Sequence, residues 1–156
     1  MKILFVCTGN TCRSPLAEAI ARKVAIERGL PDVDVASAGT SAWDGAAASD
    51  GAMLIGLERR LDLGSHRSQQ LTRALVDSVD LILTMGPHHL ERVEALGAGD
   101  KAYLLTAYPQ RGPTGRAVSD PMGGDLAVYR TTADELEVEI RRVFDRLAAG
   151  HVPDAE

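Results

Sequence analysis

Cys7, Cys12 and Arg13 lie close together in the stretch Cys7-Thr8-Gly9-Asn10-Thr11-Cys12-Arg13-Ser14-Pro15, and Cys7 and Cys12 are the only two cysteines of the chain. Three kinds of chemistry suit such a turn: a metal clip, no chemistry at all, or a nucleophile in a loop built around an anion. A zinc clip needs further ligands, and His66, His88, His89 and His151 repeat no zinc-ligand spacing, so no metal is expected. The anion loop has a direct physical basis. A loop running into a helix N-terminus turns backbone N–H groups into one concavity, and the helix dipole adds positive potential. Thr8, Gly9, Asn10, Thr11, Cys12, Arg13 and Ser14 would form that phosphate cradle. Gly9 is expected to supply a backbone conformation closed to other residues.

Arg13 carries a planar guanidinium that can grip two oxygens of a phosphate. Cys7 would lie at the floor, where the helix terminus and the cation favour the nucleophilic thiolate. A thiolate facing a bound phosphoryl group is set for in-line attack and a phosphocysteine intermediate. A bare Cys-x5-Arg match is weak by itself, and the preceding apolar run, the internal Gly and the following Ser-Pro strengthen it. Phosphoryl transfer also needs an acid for the leaving group, and Asp120 in Ser119-Asp120-Pro121 is the best placed. Asp-Pro is also a common turn dipeptide, and only the cysteine loop tips it toward catalysis.

These residues need a scaffold. Lys2–Val6 is an apolar run with the character of a buried strand, and Ser14-Pro15 opens a helix that Gly29 and Pro31 end. Val33–Ala38 alternates as a second strand. Further helices are expected over Gly51–Arg60, Gln70–Ser78 and Pro87–Leu96, with strands at Val79–Met85 and Ala102–Leu105. His88-His89, opening the third of these helices, reads as a solvated surface pair without a role. Thr106–Gly124 is broken by Pro109, Gly112, Pro113, Gly115, Pro121, Gly123 and Gly124, and connections beyond ~12–15 residues are usually functional or disordered. Leu126, Tyr129, Leu136, Ile140, Val143 and Leu147 then stripe a long final helix, which Gly150 and Pro153 end.

Alternating strands and helices predict an α/β fold, one domain over residues 1–150 with a short tail at 151–156, its parallel sheet covered on both faces. Ligands of such sheets bind beyond the carboxyl ends of the strands, where the cysteine loop falls. The chain is 156 residues long, 45% apolar and 25% charged, with net charge −5, so a broad nucleic-acid surface is not expected. No apolar run suits a membrane span or an export signal, and paired cysteines without one suggest the cytoplasm.

With Cys7 to Pro15 after an N-terminal strand and Asp120-Pro121 late in the chain, the sequence resembles the low-molecular-weight protein tyrosine phosphatases. Ser37-Ala38-Gly39-Thr40, His66-Arg67-Ser68 and Leu81-Ile82-Leu83-Thr84-Met85 fall in the family's order. The resemblance implies a four-stranded parallel sheet, Cys7 as nucleophile, Arg13 as phosphate and transition-state binder, and Asp120 as general acid and then base. It also implies that Ser14 hydrogen-bonds Cys7, that Asn10, Ser37 and His66 brace the loop, and that no cofactor is needed. A reversible Cys7–Cys12 disulfide protecting the nucleophile is a further implication, against the alternative that Cys12 simply fills the back of the loop.

Within the family, two features lean toward the branch acting on phosphoarginine in proteins. Thr11 stands where the tyrosine-specific members usually carry an aliphatic residue. Met122-Gly123-Gly124, with Val128-Tyr129 downstream, lacks the aromatics that sandwich a phenol ring, although Met122 departs from both patterns. Trp43, in the loop after the second strand, either walls the cleft or covers a core edge. A phosphotyrosine phosphatase is the alternative, and a catalytically inactive phosphoprotein-binding module is the rival outside enzymes. Arsenate reductase would need a further downstream cysteine, which is missing. The expected partner is a phosphorylated protein, and the expected state is a monomer.

Overall fold

The computed structural model describes residues 1–110 and 115–149. Four strands form one sheet in the order β2-β1-β3-β4: β1 (Lys2–Cys7), β2 (Asp34–Gly39), β3 (Leu81–Thr84) and β4 (Ala102–Leu104). All neighbours pair in parallel, with Cys7 in register with Gly39 at the carboxyl end of β1 and β2. Strand side chains alternate between faces. Ile3, Phe5 and Cys7 therefore join one apolar core, while Leu4 and Val6 join a second on the opposite face.

Helices α1 (Arg13–Glu27), α2 (Asp50–Glu58) and α5 (Leu126–Ala148) cover the first face. The short α3 (Arg73–Asp77) and α4 (Pro87–Ala95) cover the second, through Val76 and Val93. The expected stripe on the last helix is the one that packs: Tyr129, Leu136, Ile140 and Val143 are buried in the first core, with Leu126 and Leu147 at its edge. Gly29 and Gly97 follow α1 and α4 at φ +66° and +88°, the left-handed conformation that a helix end asks of glycine. The breakers Gly112, Pro113, Gly150 and Pro153 and the tail at 151–156 lie outside the described residues.

Three expectations need correction. The helix expected over Gln70–Ser78 begins only at Arg73, capped by the Thr72 side chain. Gln70 is unavailable to it, because its backbone N–H donates to Asp44 Oδ1 and its side chain bonds Ala42 N–H and the Thr40 carbonyl. Gly9 has no left-handed backbone. That conformation belongs to Asn10, at φ 56°, where an Asn side chain able to bond locally tolerates it better than most residues. His88 and His89 are not a solvated pair: His88 is exposed, and His89 is fully buried.

Candidate active site

The order in which strands are added to the sheet reverses between β1 and β3, the place where ligands bind in open α/β sheets. The loop from Cys7 to α1 lies there, at the carboxyl end of β1. Its passage beside β2 depends on Gly39. A Cβ at Gly39 would lie 2.4 Å from the Thr8 carbonyl oxygen and 3.0 Å from the Asn10 nitrogen. The next residues pin the loop from that side, with Thr40 N–H donating to the Cys7 carbonyl and Ser41 N–H to that of Thr8, each at 2.9 Å. From the α2 side, Ser49 N–H holds the Thr11 carbonyl at 2.8 Å.

Cys7 is buried, and its Sγ lies 2.9 Å from Ser14 Oγ. The bonds around Ser14 leave its hydroxyl able to donate to that sulfur. Asn10 Nδ2 donates to Ser14 Oγ at 2.8 Å and to Ser37 Oγ at 2.9 Å, while Asn10 Oδ1 accepts from Gln69 N–H, which fixes the amide orientation. Ser37 passes its own hydrogen on to Glu18 Oε1 at 2.6 Å. Ser14 Oγ thus accepts from Asn10, and its own hydrogen is free for the Cys7 sulfur. His66 Nε2 donates to the Asn10 carbonyl at 2.7 Å, so Asn10, Ser14, Ser37 and His66 do come together beneath the loop. Glu18 and Gln69 complete this network. Neither was anticipated from sequence, although Glu18, on the α1 face one turn beyond Ser14, carried a weak periodic signal.

Cys12 caps α1 without a side-chain hydrogen bond, which leaves the first-turn N–H groups facing the loop. Both thiols are free. Cys12 Sγ is within 3.3 Å of Ser49 Oγ and 3.5 Å of the Tyr129 hydroxyl. Burial in this cluster pushes the Tyr129 phenol above its ordinary pKa.

Arg13 is almost entirely buried; its Nη1 donates to the Val118 carbonyl at 3.1 Å, and its Nη2 lies 3.6 Å from Asp120 Oδ2. One guanidinium thus ties the cradle to the loop that carries Asp120. Asp120 is half exposed and accepts from Met122 N–H at 3.1 Å, and Pro121 beside it is buried. Met122 and Trp43 project into solvent, 64% and 86% exposed, so Trp43 covers no core edge. Its loop is nevertheless well held, with the Trp43 carbonyl accepting from Ser68 Oγ and Gly45 N–H donating to the Ser68 carbonyl. Thr8 and Thr11 are both partly exposed at the mouth of the cradle. No cluster of three or more metal-ligating side chains occurs among the described residues.

A buried thiol within hydrogen-bond reach of a hydroxyl, an uncapped helix terminus, a tethered arginine and an adjacent carboxylate can together bind a phosphoryl dianion and exchange it onto sulfur. Comparison with known proteins gives the same chemistry. Residues 2–152 match the family model described as low molecular weight phosphotyrosine protein phosphatase. The protein-arginine-phosphatase of Bacillus subtilis (strain 168) is 40% identical over 149 residues, covering 94% of this chain and 97% of that one. The low molecular weight protein-tyrosine-phosphatase PtpB of Staphylococcus haemolyticus is 39% identical over 137 residues, 87% of this chain and 92% of that one. Among solved structures, the YwlE arginine phosphatase bearing a phosphorylated active-site serine superposes with a TM-score of 0.89 at 38% identity, over 95% of this chain and 96% of that one.

Proposed function

The chain belongs to the low molecular weight phosphotyrosine protein phosphatase family, whose members are cysteine-based protein phosphatases, and from that premise we propose that it hydrolyses phosphoarginine in proteins. Cys7 is the nucleophile. Its sulfur attacks the phosphorus in line, a phosphocysteine forms, and the phosphorus–nitrogen bond breaks as Asp120 gives its proton to the departing guanidine. Asp120, now a carboxylate, takes a proton from a water that attacks the phosphocysteine; inorganic phosphate leaves and the Cys7 thiolate returns. Arg13 and the loop N–H groups hold the equatorial oxygens throughout, and Ser14 steadies the sulfur as a leaving group. No metal or cofactor enters this sequence.

The observation that carries the chemistry is the hydrogen-bond chain from Asn10 through Ser14 to Cys7, beside an Arg13 that also reaches Asp120. The preference for arginine is supported by the surroundings. Thr11 presents a hydroxyl at the mouth, Met122 is not aromatic, and Tyr129 is turned inward to Cys12 and Ser49. A guanidinium leaving group has several N–H donors, which a half-exposed Asp120 can hold as well as protonate. Phosphotyrosine is the second reading, favoured by the exposed indole of Trp43 and by the relatives named for that substrate.

We further propose one phosphatase domain over residues 1–150 with a short tail, acting as a monomer in the cytoplasm, with Cys7 and Cys12 able to join as a disulfide. No helix of the described residues is long and apolar enough to cross a membrane. The deciding experiment compares phosphoarginine and phosphotyrosine peptides as substrates of the wild type and of Cys7→Ser. Faster turnover of phosphoarginine by the wild type, lost in Cys7→Ser, is expected. Equal or better turnover of phosphotyrosine would overturn the arginine assignment, and an inert wild type would overturn the enzyme itself.

A further inference from the structure

His89 is the histidine whose placement the sequence misled about most. It sits in the first turn of α4, beyond the carboxyl end of β3, so it approaches the cradle from the opposite wall of the crevice. Its ring is fully buried, and Nε2 lies 2.8 Å from Thr8 Oγ1. Its other nitrogen, Nδ1, is equally buried and hydrogen-bonds nothing among the described residues. The His88 ring stacks at 3.9 Å, tilted by 43°, without bonding it.

A neutral imidazole carries one hydrogen, on either nitrogen. Burial, with the charges of His88 and Arg13, pushes His89 down to about 4 against an opposing pull from Asp120, so the ring is neutral near pH 7. With the hydrogen on Nδ1, a buried N–H would be orphaned, which native structures tolerate less readily than a bare acceptor. The hydrogen therefore belongs on Nε2, where it donates to Thr8. Thr8 Oγ1 then acts as acceptor toward His89, and no other protein group among the described residues bonds it. Its own hydrogen remains unspent, on a partly exposed residue that directly follows Cys7.

We infer that His89 is a positioning residue for the phosphoryl cradle: by donating from Nε2 to Thr8 Oγ1, it commits the Thr8 hydroxyl hydrogen to an oxygen of the phosphoryl group bound above Cys7. Thr8 becomes a side-chain donor to the anion alongside Arg13, held by a ring that never touches substrate. The arrangement builds on the cysteine-phosphatase reading above, yet its first consequence is visible in the resting protein without turnover.

The test has two arms. In the wild type at pH 7, nitrogen NMR of the labelled ring should find the His89 hydrogen on Nε2; a hydrogen on Nδ1 overturns the inference, whatever the protein hydrolyses. In kinetics, His89→Gln keeps an N–H donor near the Nε2 position and His89→Leu removes it. His89→Leu and Thr8→Val should each lower kcat/KM about tenfold and weaken inhibition by inorganic phosphate about as much, with no further loss in the double variant. His89→Gln should stay within about threefold of the wild type. Equal losses in the Gln and Leu variants, or a Leu variant with lowered thermal stability and unchanged kcat/KM, would mean that the ring merely fills space. Should His89→Leu fail to fold, the NMR result on the wild type still decides.

Discussion

Asn10 and Ser14, beneath Cys7, are wholly buried, whereas Trp43 and Met122, on the loops that flank the same cradle, are 86% and 64% exposed. Every polar atom of the Asn10 side chain is spent on Ser14, Ser37 or Gln69, and its carbonyl is held by His66. The Trp43 loop is held through its backbone carbonyl and the Asp120 loop through the Val118 carbonyl and the Asp120 carboxylate, while the side chains of Trp43, Asp120 and Met122 still reach solvent. The difference separates two tasks. Binding a phosphoryl group demands donors that do not move, and a low-dielectric network of satisfied bonds supplies them. Choosing between leaving groups demands surfaces that meet the substrate, and these are left uncovered. A change in the floor should therefore disturb reaction and fold together, while a change in the rim should alter selection and leave the fold alone.

The contrast breaks most visibly at Asp120, which sits on the rim and serves the floor. Asp120→Asn is expected to lower kcat by about 10²–10³-fold on substrates that need leaving-group protonation, with little change in unfolding free energy. Steady-state assays beside a denaturant titration measure both. Asn10→Ala comes next, losing about 3 kcal/mol in the same titration because it strands Ser14, Ser37 and Gln69 and places alanine at a left-handed φ. A loss below about 1 kcal/mol would show the floor to be less rigid than its hydrogen bonds imply.

Thr11→Ile should move the ratio of phosphotyrosine to phosphoarginine kcat/KM about tenfold toward tyrosine, since it exchanges a hydroxyl for an apolar wall. An unchanged ratio would remove Thr11 from the selection of substrate. The pH dependence of stability gives a subtler measure of the floor. His89 binds its proton at about pH 4 when folded and at about 6.5 when unfolded. Between these values the unfolded chain holds the extra proton, so its contribution makes stability rise with pH from about 4 to about 6.5 and level off above. His88 and Arg13 sharpen this slope and Asp120 softens it. His89→Gln should flatten the slope, as unfolding titrations at pH 4.5, 5.5 and 7 would reveal. Smallest of all, Trp43→Ala should change stability by no more than about 0.5 kcal/mol while moving KM for peptide substrates. A larger stability loss would place the indole in the fold after all.

The same division explains what could be read before the fold was known. Cys7 and Arg13 share one short turn, and the phosphate-loop reading rests on their spacing together with the apolar run before it, the internal Gly and the Ser-Pro after it. The Ser14 contact with Cys7, by contrast, came only through the family resemblance. The parallel sheet follows from the alternation of apolar runs and helices. Asp120 stood out only beside the cysteine loop, because Asp-Pro by itself is a common turn dipeptide. His89 was not recoverable, because its burial comes from α4 docking beside a loop far away in sequence, which no local pattern announces. The left-handed residue of the cradle fell on Asn10 rather than Gly9 for a related reason. A glycine would have been free to turn there, but only asparagine could turn and also fasten Ser14, Ser37 and Gln69.

Gly39 has a bearing on engineering. It belongs to the neighbouring strand, takes no part in the chemistry, and leaves only 2.4 Å between a would-be Cβ and the Thr8 carbonyl. The cradle is thus not a portable cassette of consecutive residues. Anyone transplanting it onto another strand–helix unit would have to bring a glycine on the adjacent strand, in register with the cysteine, or the graft would arrive with its anion pocket already wedged open.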